Sequence, residues 1–470
     1  MKINSTFFVT LALSTSLWAC QTQKINHDLA MAVPDTFRTD IPVVADSSMG
    51  NIPWRDFFQD PVLQGLIDTA IVQNMDLNLA VKNIETAQLL LRQAKAGNIP
   101  AINLQIQATS TNPSNNSLNG LSLGQFLGQN HIEDYTAALG LSWEADIWGK
   151  IKNQKAAALA AYLQTEEARK AVQTQLVSQV ANGYYQLLML YQLREIAEQN
   201  LGLTENTLKM AQQQYEVGDI SLLAVEQVAA QRLAAAALIP DFEQQIQLQE
   251  NALRILSGEF PKAIKTSAKL AAIHLPVDIN VGIPAELLSK RPDVKQAELR
   301  VTAASASQQV AKAQLYPSLT ISAQAGLNAF KTSNWFTIPA SLFGTVTGGI
   351  TQPILQRREL KTKYEVARVD YEKSVIQFRQ SVVNAVGEVS DALVSLEKLQ
   401  DKQRIVQRKA EKLKGAINHA DLLFETGTAS YLEVITAQSN ALQSELELAQ
   451  IHKAELTAVI NLYRALGGGY

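Results

Sequence analysis

A mostly α-helical chain with a transmembrane β-barrel part, duplicated within itself, is the fold class that three features of this sequence predict. The stretches Tyr215-Glu216-Val217-Gly218-Asp219-Ile220-Ser221-Leu222-Leu223 and Phe424-Glu425-Thr426-Gly427-Thr428-Ala429-Ser430-Tyr431-Leu432 repeat one pattern 209 residues apart (424 − 215), in which a Gly ends a helical run and a Ser restarts one. No proline occurs between Pro113 and Pro240 or after Pro353, which leaves two very long windows free to be helical. Just after Pro100 and Pro317 the apolar period drops from helical to two. The repeating unit is far longer than a solenoid repeat, so the two copies are expected to form one continuous architecture.

Taken in chain order, residues 1–19 read as a signal peptide, with Lys2 as its positive region and Phe7 to Trp18 as its apolar region. The segment is too short to span a bilayer. It ends at Leu17-Trp18-Ala19-Cys20, and Cys20 is the single cysteine of the chain. Without a disulfide partner, Cys20 reads as an acylated lipoprotein cysteine, the covalent lipid being the sole added group expected; the other reading is an ordinary signal-region cysteine lost on cleavage. Gln21 rather than Asp follows it, which fits sorting to the outer membrane. Residues 20–63 then form an N-terminal anchor segment, 64–258 a first repeat, 259–282 a linker and 283–470 a second repeat.

Each repeat opens with a helix of about 30 residues, from Asp76 past Gly97 and from Asp293 to Leu315. At an offset of 217, Asp76, Ala80, Ala87, Ala94, Lys95, Ala96, Pro100, Gln107 and Ala108 recur as Asp293, Ala297, Ala304, Ala311, Lys312, Ala313, Pro317, Gln324 and Ala325. Strands follow, in hairpins spanning about 101–145 and 318–352: Ile102, Leu104, Ile106 and Ala108 alternate with Asn103, Gln105 and Gln107, and Leu319, Ile321, Ala323 and Ala325 with Thr320, Ser322 and Gln324. This alternation fits strands with apolar residues facing lipid and polar residues facing a lumen; an amphipathic hairpin on a soluble domain is the other reading. A turn-rich connector at 112–130 leads to a returning strand near Tyr135 to Trp143, and Ser341 to Gln352 is its counterpart. Four strands cannot close a barrel, so a membrane reading requires oligomerisation, with eight strands from two chains or twelve from three.

The long windows 150–217 and 359–426 carry apolar residues at spacings of three and four, among them Val172, Leu176, Val180, Tyr184 and Leu187, and Val382, Val386, Val389, Leu393 and Leu396. At 1.5 Å per residue each helix is about 100 Å long, which only a coiled coil or a helical tube accommodates. Return helices run from Ser221 to Ser257 and from Ser430 to Leu466, the first with an expected kink at Pro240. No other stretch reads as a transmembrane helix.

Composition excludes several functions. The net charge of −3 argues against a nucleic-acid partner. His27, His131, His274, His419 and His452 form no zinc pattern, and neither a nucleophile elbow nor a Walker loop occurs, so neither an enzyme nor a metal site is expected.

On these residues the chain resembles the TolC-like, OprM-like outer-membrane factor family, in its lipoprotein branch. Trp54-Arg55-Asp56-Phe57-Phe58 with Asp60-Pro61-Val62-Leu63 carries the resemblance, as do Ile283-Pro284 with Leu287-Leu288 and Arg291-Pro292-Asp293-Val294 with Ala297-Glu298. Trp143-Glu144-Ala145-Asp146-Ile147-Trp148-Gly149-Lys150 and the paired tips complete it. The resemblance implies a homotrimer in the outer membrane, with a twelve-stranded barrel continued by an α-helical coiled-coil tunnel in the periplasm. It also implies an exit duct of a tripartite efflux system, opened at its tips by a periplasmic adaptor and an inner-membrane pump. Gly218 and Gly427 make the turns and Ser221 and Ser430 cap the returning helices; in the family such tips also dock the adaptor. Leu432, Glu433 and Thr436 are expected to form the pore gate, with an apolar constriction beside a carboxylate ring. The family often has an acidic residue at the place of Thr436, so no aspartate ring transfers to that position. The rival function is a structural lipoprotein, a periplasmic coiled-coil spacer without a pore.

Overall fold

A computed structural model of the chain describes residues 34, 36–37, 48–126, 128–273, 284 and 290–470. The signal peptide, Cys20, most of the 259–282 linker's second half and the Ile283 to Leu288 motif other than Pro284 lie outside the described residues. Four strands, β1 (Ala101–Thr111), β2 (Ile132–Ala145), β3 (Ser318–Ala329) and β4 (Leu342–Thr351), form one antiparallel sheet in the order β1-β2-β3-β4. The second strand of one repeat thus pairs with the first strand of the other, while β1 and β4 remain as edges.

Register sorts the side chains as the alternation predicts. Ile102 lies opposite Leu141, Leu104 opposite Leu139, Leu139 opposite Ala325, Trp143 opposite Ile321 and Ala323 opposite Val346. These partners share one face, and it is apolar across all four strands. The other face carries Asn103, Gln105, Gln107, Gln324 and Thr345, with Gln105 and Gln107 donating in turn to Gln107 and Thr109 at 2.6 and 3.0 Å. Between β1 and β2 the connector expected to be turn-rich also contains a helix, α3 (Leu118–Phe126).

The helices are α1 (Pro61–Gln73), α2 (Met75–Lys95), α4 (Lys150–Glu216), α5 (Leu222–Leu256), α6 (Pro292–Ala313), α7 (Glu359–Glu425) and α8 (Tyr431–Ala465). Helices α4 and α7 have 67 residues each and α5 and α8 have 35 each, so the duplication is kept to the residue. The opening helices are shorter than expected, 21 and 22 residues. In the first repeat the apolar pattern continues backwards into α1, but Asn74 breaks the run by capping α2 through Leu77 N at 3.0 Å. Helix α5 continues through Pro240 as one helix. By length and composition it is also apolar enough to cross a membrane. Its alanines supply that hydropathy, and the helix packs along α4 as one arm of a hairpin.

Helix α4 is the central strut and contacts α1, α2, α5, α6 and α8, while α6 sits between α4 and α7. Its midpoint forms the core: Tyr184, Tyr185, Leu187 and Leu188 are fully buried. The Asp60-Pro61 motif is placed here, because Asp60 caps α1 through Val62 N at 2.7 Å and accepts the Tyr184 hydroxyl at 2.9 Å. Phe57 stacks on Tyr463 at 4.0 Å, which ties the N-terminal segment to the end of α8. Burial raises the pKa of Tyr184 and Tyr463, so both stay neutral as packing elements. Trp148 donates to the Pro317 carbonyl at 2.7 Å and stacks on Tyr316 where sheet passes to helix, a junction role.

Candidate functional site at the hairpin tips

Both tips are built by the same local rule. At the end of α4, Gly218 adopts φ of +89°, its N–H donates to the Tyr215 carbonyl at 3.0 Å, and Asp219 N donates to the Gln214 carbonyl at 2.9 Å. At the end of α7, Gly427 has φ of +70°, with Gly427 N to Phe424 O at 3.1 Å and Thr428 N to Leu423 O at 2.8 Å. These are left-handed helix terminations, which satisfy carbonyls that would otherwise be orphaned. A Cβ on either glycine would meet no atom within 4 Å, so the backbone angle alone demands Gly.

The restarts differ. Ser221 Oγ accepts from Ala224 N at 3.4 Å, a single weak cap. Ser430 heads a capping box in which its own N–H donates to Glu433 Oε2 at 2.9 Å. Glu433 therefore has a structural task at its cap while remaining exposed on the surface of the helix. Leu432 is 57% exposed and Thr436 is exposed too, its hydroxyl donating to the Leu432 carbonyl at 2.6 Å. The structure thus brings Leu432, Glu433 and Thr436 together on one open face, whereas Val434 and Gln438 turn inward.

The two tips are joined to each other. Ala211, Val228, Phe424 and Val434, one from each long and each returning helix, form a buried apolar cluster, with Ile220, Tyr431 and Ile435 packed against it. Polar ties flank the cluster: Gln214 Nε2 donates to the Phe424 carbonyl at 2.9 Å, and the Tyr431 hydroxyl to Gln227 Oε1 at 2.5 Å. Farther along, Gln438 Nε2 donates to Thr207 Oγ1 at 2.9 Å inside the core. Asp421, one turn before the tip, has its carboxyl pKa raised by burial and by the neighbouring charge of Glu425. Sequence reading missed Phe424, Gln214, Gln227 and Tyr431 as partners. The one available signal was the aromatic pair Tyr215 and Phe424 at matched positions of the two tips. Among the described residues no cluster of three or more His, Cys, Asp and Glu is arranged to hold a metal ion.

A sheet with one apolar and one polar face, continued by helices of about 100 Å that end in joined tips, defines a membrane channel drawn out into a long duct. The chain belongs to the outer membrane efflux protein family, whose model matches residues 66–259 and 283–468. It is 29% identical over 431 residues to the probable outer membrane lipoprotein SilC of Salmonella typhimurium, covering 91% of this chain and 90% of that one. It is 28% identical to the cation efflux system protein CusC of Escherichia coli K12 over 98% of each. With the toluene efflux pump outer membrane protein TtgC of Pseudomonas putida it shares 29% identity over 91% of this chain and 87% of the other. A crystal structure of CusC superposes with a TM-score of 0.82 at 27% identity, covering 94% of this chain and 98% of that chain. The protein is therefore an outer-membrane efflux channel with its helical tunnel in the periplasm, an exit duct of the kind that works in tripartite systems. Family channels are trimers that act with an adaptor and an inner-membrane pump, and the relatives are ducts rather than enzymes. That membership favours the duct over the pore-less spacer.

Proposed function

We propose that three copies of this chain close one duct, that the joined tips are its gate, and that Cys20 carries the lipid that anchors it. The tip geometry carries this reading, because α8, which puts Val434 into the four-helix apolar cluster, also presents Leu432, Glu433 and Thr436 on its open face. An apolar ring narrows and dewets a pore, and a carboxylate beside it favours cations. Gly218, Ser221, Gly427 and Ser430 shape the turns that an adaptor hairpin would meet, and docking there would act on the Tyr431 to Gln227 tie.

Ring closure is supported by the edges the single chain leaves open. Helix α6 packs between α4 and α7, but its counterpart α2 has α4 as its main neighbour and exposes Leu79, Leu89 and Leu90. By the internal repeat, α7 of the next copy is the missing neighbour of α2, just as its β4 is the missing neighbour of β1. Lipidation of Cys20 rests on its sequence context and on the lipoprotein named in SilC. The relatives' names span cations, toluene and pyoverdine, which suits a passive conduit whose cargo is chosen by the pump.

Bilayer recordings of the purified oligomer test the gate. Leu432→Ser should raise the leak of the closed channel, and Glu433→Gln should lower its cation preference. An unchanged reversal potential in asymmetric salt removes the carboxylate ring, and an unchanged leak, with equal vancomycin entry into cells at equal expression, removes the gate.

A further inference from the structure

Just above the tips, the packing of α4 against α8 changes character. From residue 200 to 207 on α4 the buried positions are Asn200, Thr204 and Thr207, and from 438 to 444 on α8 they are Gln438, Ala441 and Ser444. No large apolar side chain is among them. Below lies the apolar tip cluster, and above lie Ile196, Leu193, Ile451 and Leu456. The helices run antiparallel, and the Gln438 to Thr207 hydrogen bond sets a register that brings Ser444 within a turn of Asn200.

Three atoms in this seam have no hydrogen-bond partner among the protein's own groups. Gln438 Oε1, Asn200 Oδ1 and Ser444 Oγ are buried without a hydrogen bond, on residues only 1%, 5% and 0% exposed. A second copy of the chain cannot reach them from outside. Native cores seldom leave such groups unsatisfied, because water would bind each of them in a more open state. At its upper end the seam leads toward a cavity of about 380 Å³ lined by Gln192, Gln199 and Glu445 together with Leu188, Ile196 and Leu270, from which water can enter when the helices part.

We propose that this polar seam sets the opening threshold of the duct. Asn200, Gln438 and Ser444 hold the closed packing of α8 on α4 at a disadvantage that is relieved when α8 withdraws, so the apolar tip cluster is left as the main element keeping the tips together. They are positioning residues and touch no cargo. The inference rests on the tips being the gate, and it adds that closure is deliberately weakened a few turns away from them.

The test replaces the polar groups by apolar ones of similar shape, which removes orphans without creating new ones. In the variant carrying Asn200→Leu, Thr207→Val, Gln438→Met and Ser444→Ala, the bilayer leak of the purified channel should fall by about tenfold while its melting temperature rises. A higher melting temperature with an unchanged leak makes the seam merely structural and overturns the proposal. If the combined variant does not assemble, Ser444→Ala alone decides, since it adds no atom at a fully buried site. Its leak should fall by roughly twofold, and no change overturns the proposal. Leu432→Ser in the same assay separates the two readings. A leak there with neutral seam variants rejects the seam alone, while no leak there rejects the tip gate and the seam with it.

Discussion

At the base of the first repeat Asn74 Nδ2 donates to the Leu256 carbonyl at 2.9 Å; at the corresponding place in the second, Arg291 Nη1 donates to the Ala465 carbonyl at 3.0 Å. One junction is closed by a neutral amide and the other by a guanidinium that is 4% exposed. Burial opposes the charge of Arg291, but Asp293 at 2.6 Å and Glu388 at 2.9 Å outweigh it and raise its pKa, while Arg291 in turn overcomes burial and lowers that of Asp293. The contrast recurs elsewhere in the repeats. Gly149 starts α4 in the left-handed region at φ of +71°, whereas Arg358 starts α7 there at +64°, where a side chain is strained. Ala224 is buried after the first tip, while its counterpart Glu433 is exposed after the second. The first repeat is neutral and relaxed at these points. The second carries charge and strain, and it is the one that presents Leu432 and Glu433.

The difference teaches that duplication preserved backbone geometry while the side chains at equivalent points diverged in electrostatic duty. A buried ion pair adds little net stability over an apolar contact, but breaking it is costly. Its service here is to fix where α6 begins relative to α7 and α8.

The sharpest way to break the comparison is Arg291→Leu, which removes the buried guanidinium from Asp293 and the Ala465 carbonyl while Glu388 keeps Arg464, and should cost about 2–3 kcal/mol, against about 1–2 kcal/mol for Asn74→Ala. Equal shifts of the urea midpoint would mean that the two junctions are energetically alike. Because the folded pKa of Asp293 is depressed, its contribution is present above its unfolded pKa and is lost as pH falls through the lower folded value. In Arg291→Leu that acid-side loss should disappear.

Next in size is the left-handed position. Gly149→Arg should destabilise by about 1–2 kcal/mol and Arg358→Gly should stabilise by somewhat less, since the added backbone freedom of Gly offsets part of the relieved strain. Thermal melts of both variants measure this, and a destabilised Arg358→Gly would show that the strain is compensated by contacts of Arg358. The tip tie comes third. Tyr431→Phe removes one hydrogen bond of about 1 kcal/mol and should raise the bilayer leak by roughly fivefold; Gln227→Met should do the same, and a discrepancy between them would place the effect in ring packing.

The smallest effect concerns Glu455, which occupies the position of buried Ile246 in the first repeat, and whose carboxyl burial pushes up to about 7. With the folded pKa above the unfolded one, its contribution is full below the unfolded value near 4.5 and is lost as pH rises through about 7. Glu455→Gln should flatten the dependence of the unfolding midpoint between about pH 5 and 8, and an unaltered slope would assign it to other groups.

The duplicated helices, the four strands and both tip turns were legible from the sequence because each is a local pattern of period, proline placement and Gly or Ser chemistry. Leu432, Glu433 and Thr436 could be placed on one helical face for the same reason. Asn74 was harder to read. It divides the opening helix of the first repeat by capping Leu77 N while donating to a carbonyl 182 residues away, a long-range bond that no window reveals.

What the sequence determined by itself is the path of the chain along the duct, since helix length, strand alternation and turn geometry depend on neighbours a few residues apart. Tertiary structure alone decided which surfaces meet. Phe424 packs with Val228, Tyr431 donates to Gln227, and Gln438 donates through Nε2 to Thr207 while its amide oxygen meets no protein donor. Those contacts join residues some 200 positions apart, and they exist because two helical hairpins of equal length lie side by side and bury different faces. Rotation about a helix axis changes no sequence pattern, yet it decides which residues are buried between the hairpins and which face outward.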